Sequence, residues 1–259
     1  MDINDILNKR GFICDMDGVI YHGNKILDGV KDFVNWLISN NKKFVFLTNS
    51  PEKTPHELSM KLERMGLNIS PDHFYTSAMA TAAFLDSQNP GCTAYVIGEA
   101  ALTKSLYDHK IYMNDVNPDY VVVGETRTYS FEKIEKAIEL VNKGAKLIGA
   151  NPDITGPTEK GIIPATGSLI APIEIATGKK AYFVGKPNPL MLRHGLKKID
   201  CHSEEIAFIG DRMDTDIIAG IESNVDTVLV LSGVTSIEDI DKFPYRPKYV
   251  LNGVFELVK

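Results

Sequence analysis

A chain of 259 residues with 44% hydrophobic side chains carries enough apolar material for one large domain or two modest ones, and leaves little room for disorder. Its formal charge of −6 excludes a broad basic surface for a nucleic-acid polymer or an anionic membrane, while a small anion can still be held locally by a metal and one lysine. Three scattered cysteines, Cys14, Cys92 and Cys201, exclude a disulfide framework; they read as small buried hydrophobes in a reducing compartment.

The acidic start, Met1-Asp2-Ile3-Asn4-Asp5, lacks the basic-then-apolar order of a signal peptide. No apolar run approaches the ~20 residues needed to cross a bilayer. The expectation is a cytoplasmic protein without membrane association.

In chain order, short apolar runs predict strands at 12–14, 44–48, 94–97, 121–124, 147–150, 182–184, 206–209 and 227–231. They are continuous rather than alternating, as parallel strands covered on both faces require. Between the first two, Val30, Phe33, Val34, Leu37 and Ile38 keep helical spacing, with Trp36 beside the stripe in a packing role. The next helix opens on Thr54 and Glu57, a capping-box pattern, with Pro55 in its first turn and Gly66 to end it. Leu58, Leu62 and Met65 face its core side. Further on, Phe131, Ile134, Ile138 and Val141 form another stripe, stopped at Gly144. Such alternation predicts an α/β fold with helices on both sides of a largely parallel sheet. Seams lie at Ser87-Gln88-Asn89-Pro90-Gly91 and at Thr177-Gly178-Lys179-Lys180, so the segment between them reads as an inserted module.

Ligands of open α/β sheets gather beyond the carboxyl ends of the strands. Asp15, Asp17 and Gly18 follow the first strand, and the second ends in Thr48-Asn49-Ser50. Gly185-Lys186-Pro187 follows 182–184, and Gly210-Asp211-Arg212-Met213-Asp214-Thr215-Asp216 follows 206–209. Asp15 and Asp17, two apart, point to the same side if the strand continues through them, and like charges there call for a cation between them. Hard carboxylate oxygens completed by a phosphate suit Mg²⁺. An aspartate is ionised at neutral pH and can accept a phosphoryl group, while Asp17 protonates the leaving oxygen and then deprotonates water. Lys186 offsets charge on the transferring group, and Thr48 and Asn49 hold its oxygens.

Taken singly, each stretch has an ordinary alternative. Asp-x-Asp-Gly is common turn chemistry, Thr48-Asn49-Ser50 before Pro51 makes a plain loop, and a lone lysine is usually solvated. Asp214 is also a candidate cap for a helix carrying Ile217, Ile218 and Ile221. In this order, each behind an apolar strand, they read together as one site. The six histidines show no metal spacing. The 156–167 stretch, rich in Gly, Thr and Pro, reads equally as a substrate loop or a plain connection.

These stretches resemble the haloacid dehalogenase (HAD) superfamily of phosphatases, most closely its NagD/para-nitrophenyl-phosphatase branch. The resemblance lies in Asp15-Met16-Asp17-Gly18-Val19-Ile20-Tyr21, Val184-Gly185-Lys186-Pro187 and Gly210-Asp211-Arg212-Met213-Asp214-Thr215-Asp216-Ile217. Asn151-Pro152-Asp153 and Pro164-Ala165-Thr166-Gly167-Ser168-Leu169 are similar to stretches of the branch's cap. It implies a Rossmann-like core with a parallel sheet, built from 1–86 and 181–259, and a large inserted α/β cap at 87–180.

By the same resemblance, Asp15 is the nucleophile and Asp17 the acid/base. Mg²⁺ is held by Asp15, the Asp17 backbone carbonyl and Asp211, with Asp216 supporting the metal shell. Phosphate is bound by Thr48, Asn49, Ser50 and Lys186, with Asp17 at the same group. Many relatives carry an asparagine where Ser50 stands, which puts its substrate contact in question. The implied activity is Mg²⁺-dependent hydrolysis of a small phosphorylated metabolite, such as a nucleotide or sugar phosphate, through an aspartyl-phosphate. A homodimer through the cap is a further implication. Two other readings stand beside it: a phosphotransferase using the same site, and a non-catalytic phosphometabolite-binding or regulatory protein. Choice of substrate is expected to lie in 151–168, with Thr155 and Glu159 as the positions to change.

Overall fold

Phe12, Ile13 and Cys14 are apolar on both faces of their strand because that strand becomes the middle of a sheet. In the computed structural model, which describes residues 3–158 and 161–258, the strand order is Tyr249–Leu251, Asp226–Val230, Ile206–Gly210, Gly11–Asp15, Lys43–Thr48 and Phe74–Thr76. The pairings among the first five are parallel, and their register sets Asp15 opposite Leu47 and Cys14 opposite Ile209. Thr48, Asp15 and Gly210 therefore end at one edge of the sheet. Consecutive parallel strands demand crossovers, and helices supply them.

Helix Val30–Ser39 buries Val30, Phe33, Val34 and Leu37. Phe33 meets Phe12 edge-on at 6.0 Å, and Trp36 meets it at 5.6 Å, the packing role expected of this indole. Helix Leu190–Ile199 covers the other face, where Gly195 lets it approach Ile13, Val45 and Leu47. Helix Pro55–Arg64 buries Leu58 and Leu62, with Met65 packed alongside, and the chain turns away at Gly66 with φ +81°.

A second α/β unit has its own parallel sheet, ordered Tyr182–Phe183, Lys146–Gly149, Tyr120–Val123, Thr93–Ile97 and Tyr112–Met113. Its core gathers Ile97, Val121, Val123, Leu140, Val141, Ile170 and Ile173. Helix Phe131–Asn142 buries Ala137, Leu140 and Val141, while Phe131 is 74% exposed. Ile134 and Ile138 pack against this core and Val141 lies in it, so only Phe131 leaves the expected stripe, because it is the first residue of the helix, directly after the Ser130 cap. Over the 156–167 stretch, strand Thr155–Thr158 pairs antiparallel with Gly161–Pro164, and Thr166 and Gly167 open helix Thr166–Thr177. Glu159, paired with Thr155 in the expectation about substrate choice, lies outside the described residues.

The first unit comprises the chain up to Thr48, Pro55–Tyr75, and the chain from Lys186; the second comprises Asn49–Thr54 and Thr76–Gly185. These limits differ from the 87 and 180 read from turn composition. The Ser87 seam is the end of helix Ser77–Gln88, whose packing on Ala100–Asp108 ties it to the second unit. Strands Phe74–Thr76 and Tyr249–Leu251 were not expected, being three-residue edge strands too short for a periodic signal. Among the described residues, no helix is long and apolar enough to cross a membrane.

Candidate active site

Asp15 ends the central strand, and burial forces every charge near it to find a partner. Lys186, 2% exposed, donates from Nζ to Asp15 Oδ1 and, at 2.7 Å, to Asp216 Oδ1. The same ammonium lies 5.8 Å from the ring centroid of Phe208. Asp216 Oδ2 accepts the backbone N–H groups of Asp211, at 3.2 Å, and Arg212, at 3.1 Å. Asp216 is placed by the wide helical turn Met213–Ile217, which leads into helix Ile218–Glu222. Asp214 does not cap this turn; it takes the Arg212 guanidinium at 3.0 and 2.8 Å.

Asp211 is held as tightly. Its Oδ2 accepts the Val234 N–H at 2.7 Å, and its carbonyl accepts Thr235 N–H at 3.2 Å. Gly18 and Gly233 close around the carboxylate: a Cβ would come within 2.4 Å of Asp211 Oδ2 at Gly18 and 2.0 Å at Gly233. Gly18 also sits at φ +79°, where a side chain is strained. Gly233 was not singled out in the sequence, since nothing local marks it.

Asp15, Asp211 and Asp216 present oxygens that lie within 4.8 Å of one another. With all three carboxyls ionised, three acids and one ammonium give the buried cluster two negative charges in excess. Burial pushes Asp15 well above the usual carboxylate range; Lys186 opposes this, and Asp216 and Asp211 add to it. Burial, then the Asp216 charge, pushes Asp211 up to about 7. Burial alone would lower Lys186, yet its two carboxylate partners hold it above its ordinary value. A divalent cation cancels the excess, and buried carboxylate oxygens are the hard donors that Mg²⁺ takes. The residues fit such an ion.

Asp17 stands apart from this cluster. Its side chain is 42% exposed, with His22 Nδ1 at 3.8 Å from its Oδ1. Burial raises its pKa, opposed by the charges of Lys61 and His22. Thr48 is buried at the end of its strand. Asn49 and Ser50, the next two residues, fall in the second unit. There Asn49 Nδ2 donates to Asp153 Oδ2 at 2.8 Å, and Ser50 Oγ donates to Glu125 Oε2 at 3.2 Å. Of these partners, Asp153 belongs to the cap-like stretch Asn151-Pro152-Asp153, whereas Glu125 carries no sequence signal. Cys14 and Cys92 are buried as expected, whereas Cys201 is only half-buried.

Residues 12–111 match the haloacid dehalogenase-like hydrolase family, and 183–257 match the HAD-hydrolase-like family. Over 248 residues the chain is 43% identical to ribonucleotide monophosphatase NagD of Escherichia coli K12, covering 96% of this chain and 98% of NagD. The chain belongs to the NagD-like haloacid dehalogenase hydrolases. This HAD protein is also 48% identical over 246 residues to dihydroxyacetone phosphatase of Corynebacterium glutamicum, covering 95% and 90% of the two chains. The solved structure of E. coli NagD superposes with a TM-score of 0.91 over 96% of this chain and 98% of that one. The Mycobacterium tuberculosis glycerol phosphate phosphatase, solved in complex with magnesium, gives 0.92 at 26% identity, over 97% and 77%. The HAD protein is accordingly a phosphatase, with the capped α/β fold of that branch.

Proposed function

We propose that this HAD phosphatase hydrolyses small phosphomonoesters, including triose, sugar and nucleotide phosphates, with Mg²⁺ and through a phosphoryl group carried on Asp15. The observation that carries the reading is Lys186, buried between Asp15 and Asp216 in a cluster with two negative charges in excess. Names of the relatives support the substrate class: one is a dihydroxyacetone phosphatase, one a ribonucleotide monophosphatase, and others are acid sugar phosphatases.

In this reading, Mg²⁺ bound by Asp15, the Asp17 carbonyl and Asp211 supplies the positive charge that keeps both carboxylates ionised and offsets the phosphoryl oxygens. Lys186 adds a fixed cation at the same oxygens, and Asp216 holds that lysine in place. Thr48, Asn49 and Ser50 donate to the phosphoryl group. An Asp15 oxygen bonds to phosphorus as the ester oxygen leaves, and Asp17 gives that oxygen its proton. Asp17 then takes a proton from water, whose oxygen bonds to phosphorus and releases Asp15 and inorganic phosphate. The raised pKa of Asp17 suits the first of these proton transfers.

Action in the cytoplasm belongs to the same proposal, supported by three free cysteines. So does pairing of two copies through the cap, supported by exposed Tyr107, Tyr112 and Met113 beside the sheet edge of the second unit. Light scattering distinguishes one copy from two. For the activity, a panel of dihydroxyacetone phosphate, ribonucleoside monophosphates and sugar phosphates is incubated with Mg²⁺ and scored by phosphate release. Release from at least one is expected; silence across the panel overturns the proposal.

A further inference from the structure

The short segment after Thr48 has polar anchors that the catalytic scheme does not use, all within the second unit. Asn151, fully buried, donates from Nδ2 to the Asn49 carbonyl at 2.8 Å and to Glu125 Oε1 at 2.9 Å. Its Oδ1 accepts the Asp153 N–H at 3.0 Å. Ser77 Oγ donates to the same Asn49 carbonyl, Ser50 Oγ takes the second Glu125 oxygen, and Asn49 Nδ2 takes Asp153. Pro51 closes the segment against Gly124, where a Cβ would meet its Cγ at 3.1 Å. Both oxygens of one carboxyl group thus converge, directly and through Asn151, on two consecutive residues.

We propose that Glu125 is a positioning residue for phosphate binding: it holds the Ser50 side chain directly and, through Asn151, the Asn49 backbone. The inference rests on the reading of those two residues as phosphate donors. Three physical points carry it. Asn49 and Ser50 are in a loop, and a loop holds a donor in place only when its backbone is tied down. The ties here are hydrogen bonds to a carboxyl group and to a fully buried amide, stronger constraints than solvent-exposed contacts. Retaining an acid at this position is also costly, since burial pushes Glu125 up to about 7, against the Asn151 and Ser50 hydrogen bonds and with the repulsion of Glu52 and Asp153. An apolar residue would avoid that cost but accept neither hydrogen bond.

The serine at position 50 acquires a purpose on this account. A hydroxyl reaches Glu125 from the loop backbone, and this is the contact seen, so the Ser50 hydroxyl acts as a tether for the segment.

The test compares wild type with Glu125→Ala, Glu125→Gln, Ser50→Ala and the Ser50→Ala/Glu125→Ala pair, using para-nitrophenyl phosphate turnover and inhibition by inorganic phosphate. Glutamine keeps an acceptor for Asn151 and offers its amide N–H to the Ser50 hydroxyl, a hydrogen bond of reversed direction, and is expected to retain wild-type KM and phosphate inhibition. Alanine is expected to raise KM and the phosphate inhibition constant together by about fivefold or more, as lost anchoring hydrogen bonds imply. Ser50→Ala is expected to weaken phosphate inhibition less in the Glu125→Ala background than in wild type. If Glu125→Ala fails to fold, Glu125→Leu fills the volume without accepting a hydrogen bond and takes its place.

A purely structural glutamate would lower kcat through the active fraction and leave KM and phosphate inhibition unchanged; that result overturns the inference. So do full additivity of the pair and failure of glutamine to rescue. Each of these leaves wild-type turnover intact, whereas absence of wild-type turnover with Mg²⁺ removes the underlying phosphatase reading instead.

Discussion

Lys186 and Asp216 form an ion pair of 2.7 Å in which neither side chain is more than 2% exposed. The second oxygen of Asp216 is occupied by backbone N–H groups of Asp211 and Arg212, so the carboxylate holds Lys186 against Asp15. Removal of the ammonium leaves Asp15 and Asp216 buried without their shared cation. Lys186→Met is therefore expected to lower stability by about 3 kcal/mol or more, the usual cost of breaking a buried pair from one side. It is also expected to depress kcat/KM for every phosphate alike, since the phosphoryl group is common to all. Thermal unfolding and a substrate series check the two parts; a change in substrate ranking counts against the role.

Asp17→Asn removes the proposed proton donor and spares the Asp15–Lys186–Asp216 cluster. The loss is expected to be about a hundredfold or more for alkyl phosphates, whose leaving oxygens need the proton, in line with general acid–base catalysis. It is expected to be smaller for the first step with para-nitrophenyl phosphate, which leaves as a stable anion. Pre-steady-state release of nitrophenolate measures that step; equal losses for both leaving groups contradict the assignment.

Gly233→Ala pushes a Cβ to within 2.0 Å of Asp211 Oδ2 unless the loop moves. The expected consequence is a shift of Asp211 away from Asp15 and weaker metal binding. EDTA should abolish wild-type activity and Mg²⁺ restore it, while Ca²⁺, which tolerates looser coordination, should support little. For Gly233→Ala, the Mg²⁺ concentration giving half activity is expected to rise about tenfold, roughly 1.4 kcal/mol of binding. An unchanged titration would free Asp211 of its metal role.

Glu125 gives a pH signature. Its carboxyl is raised from an ordinary value of 4.5 to about 7. A raised acid favours the folded state when protonated, so this contribution is whole below about 4.5 and is lost as pH rises through about 7. Glu125→Gln removes the dependence. The variant's stability relative to wild type should rise between pH 5 and pH 8 by at most about 3 kcal/mol, from 1.36 kcal/mol per pKa unit. Chemical denaturation at the two values measures it, and a flat difference contradicts the raised carboxyl.

The central sheet and its end-of-strand residues were legible in the sequence because burial on both faces leaves unbroken apolar runs, each followed by polar residues. Asp15, Thr48, Lys186 and Asp211 could all be gathered from that rule, although the strand before Lys186, Tyr182–Phe183, belongs to the second unit's sheet. The pairing of Lys186 with Asp216, 30 residues on, has no local signal. Two kinds of feature were out of reach. Edge strands such as Phe74–Thr76 are too short to carry a period, and Phe131 fits a helical stripe by spacing while standing at the exposed first position. Tertiary tethers are the other kind: nothing in Gly124-Glu125-Thr126 announces that its acid meets Ser50, 75 residues earlier. The placement of Asn49–Thr54 with the second unit follows from such tethers and has no signature in composition.

The central claim is that phosphate passes through Asp15. The most direct measurement is a rapid acid quench of wild type during turnover with Mg²⁺, followed by peptide mass spectrometry. The account predicts one phosphoryl group on the peptide containing Asp15, absent without substrate and absent from Asp15→Asn, whose steady-state rate should fall below a few per cent, roughly 2 kcal/mol or more of lost transition-state stabilisation. A phosphoryl group on another residue, or an Asp15→Asn variant that turns over at the wild-type rate, would contradict it.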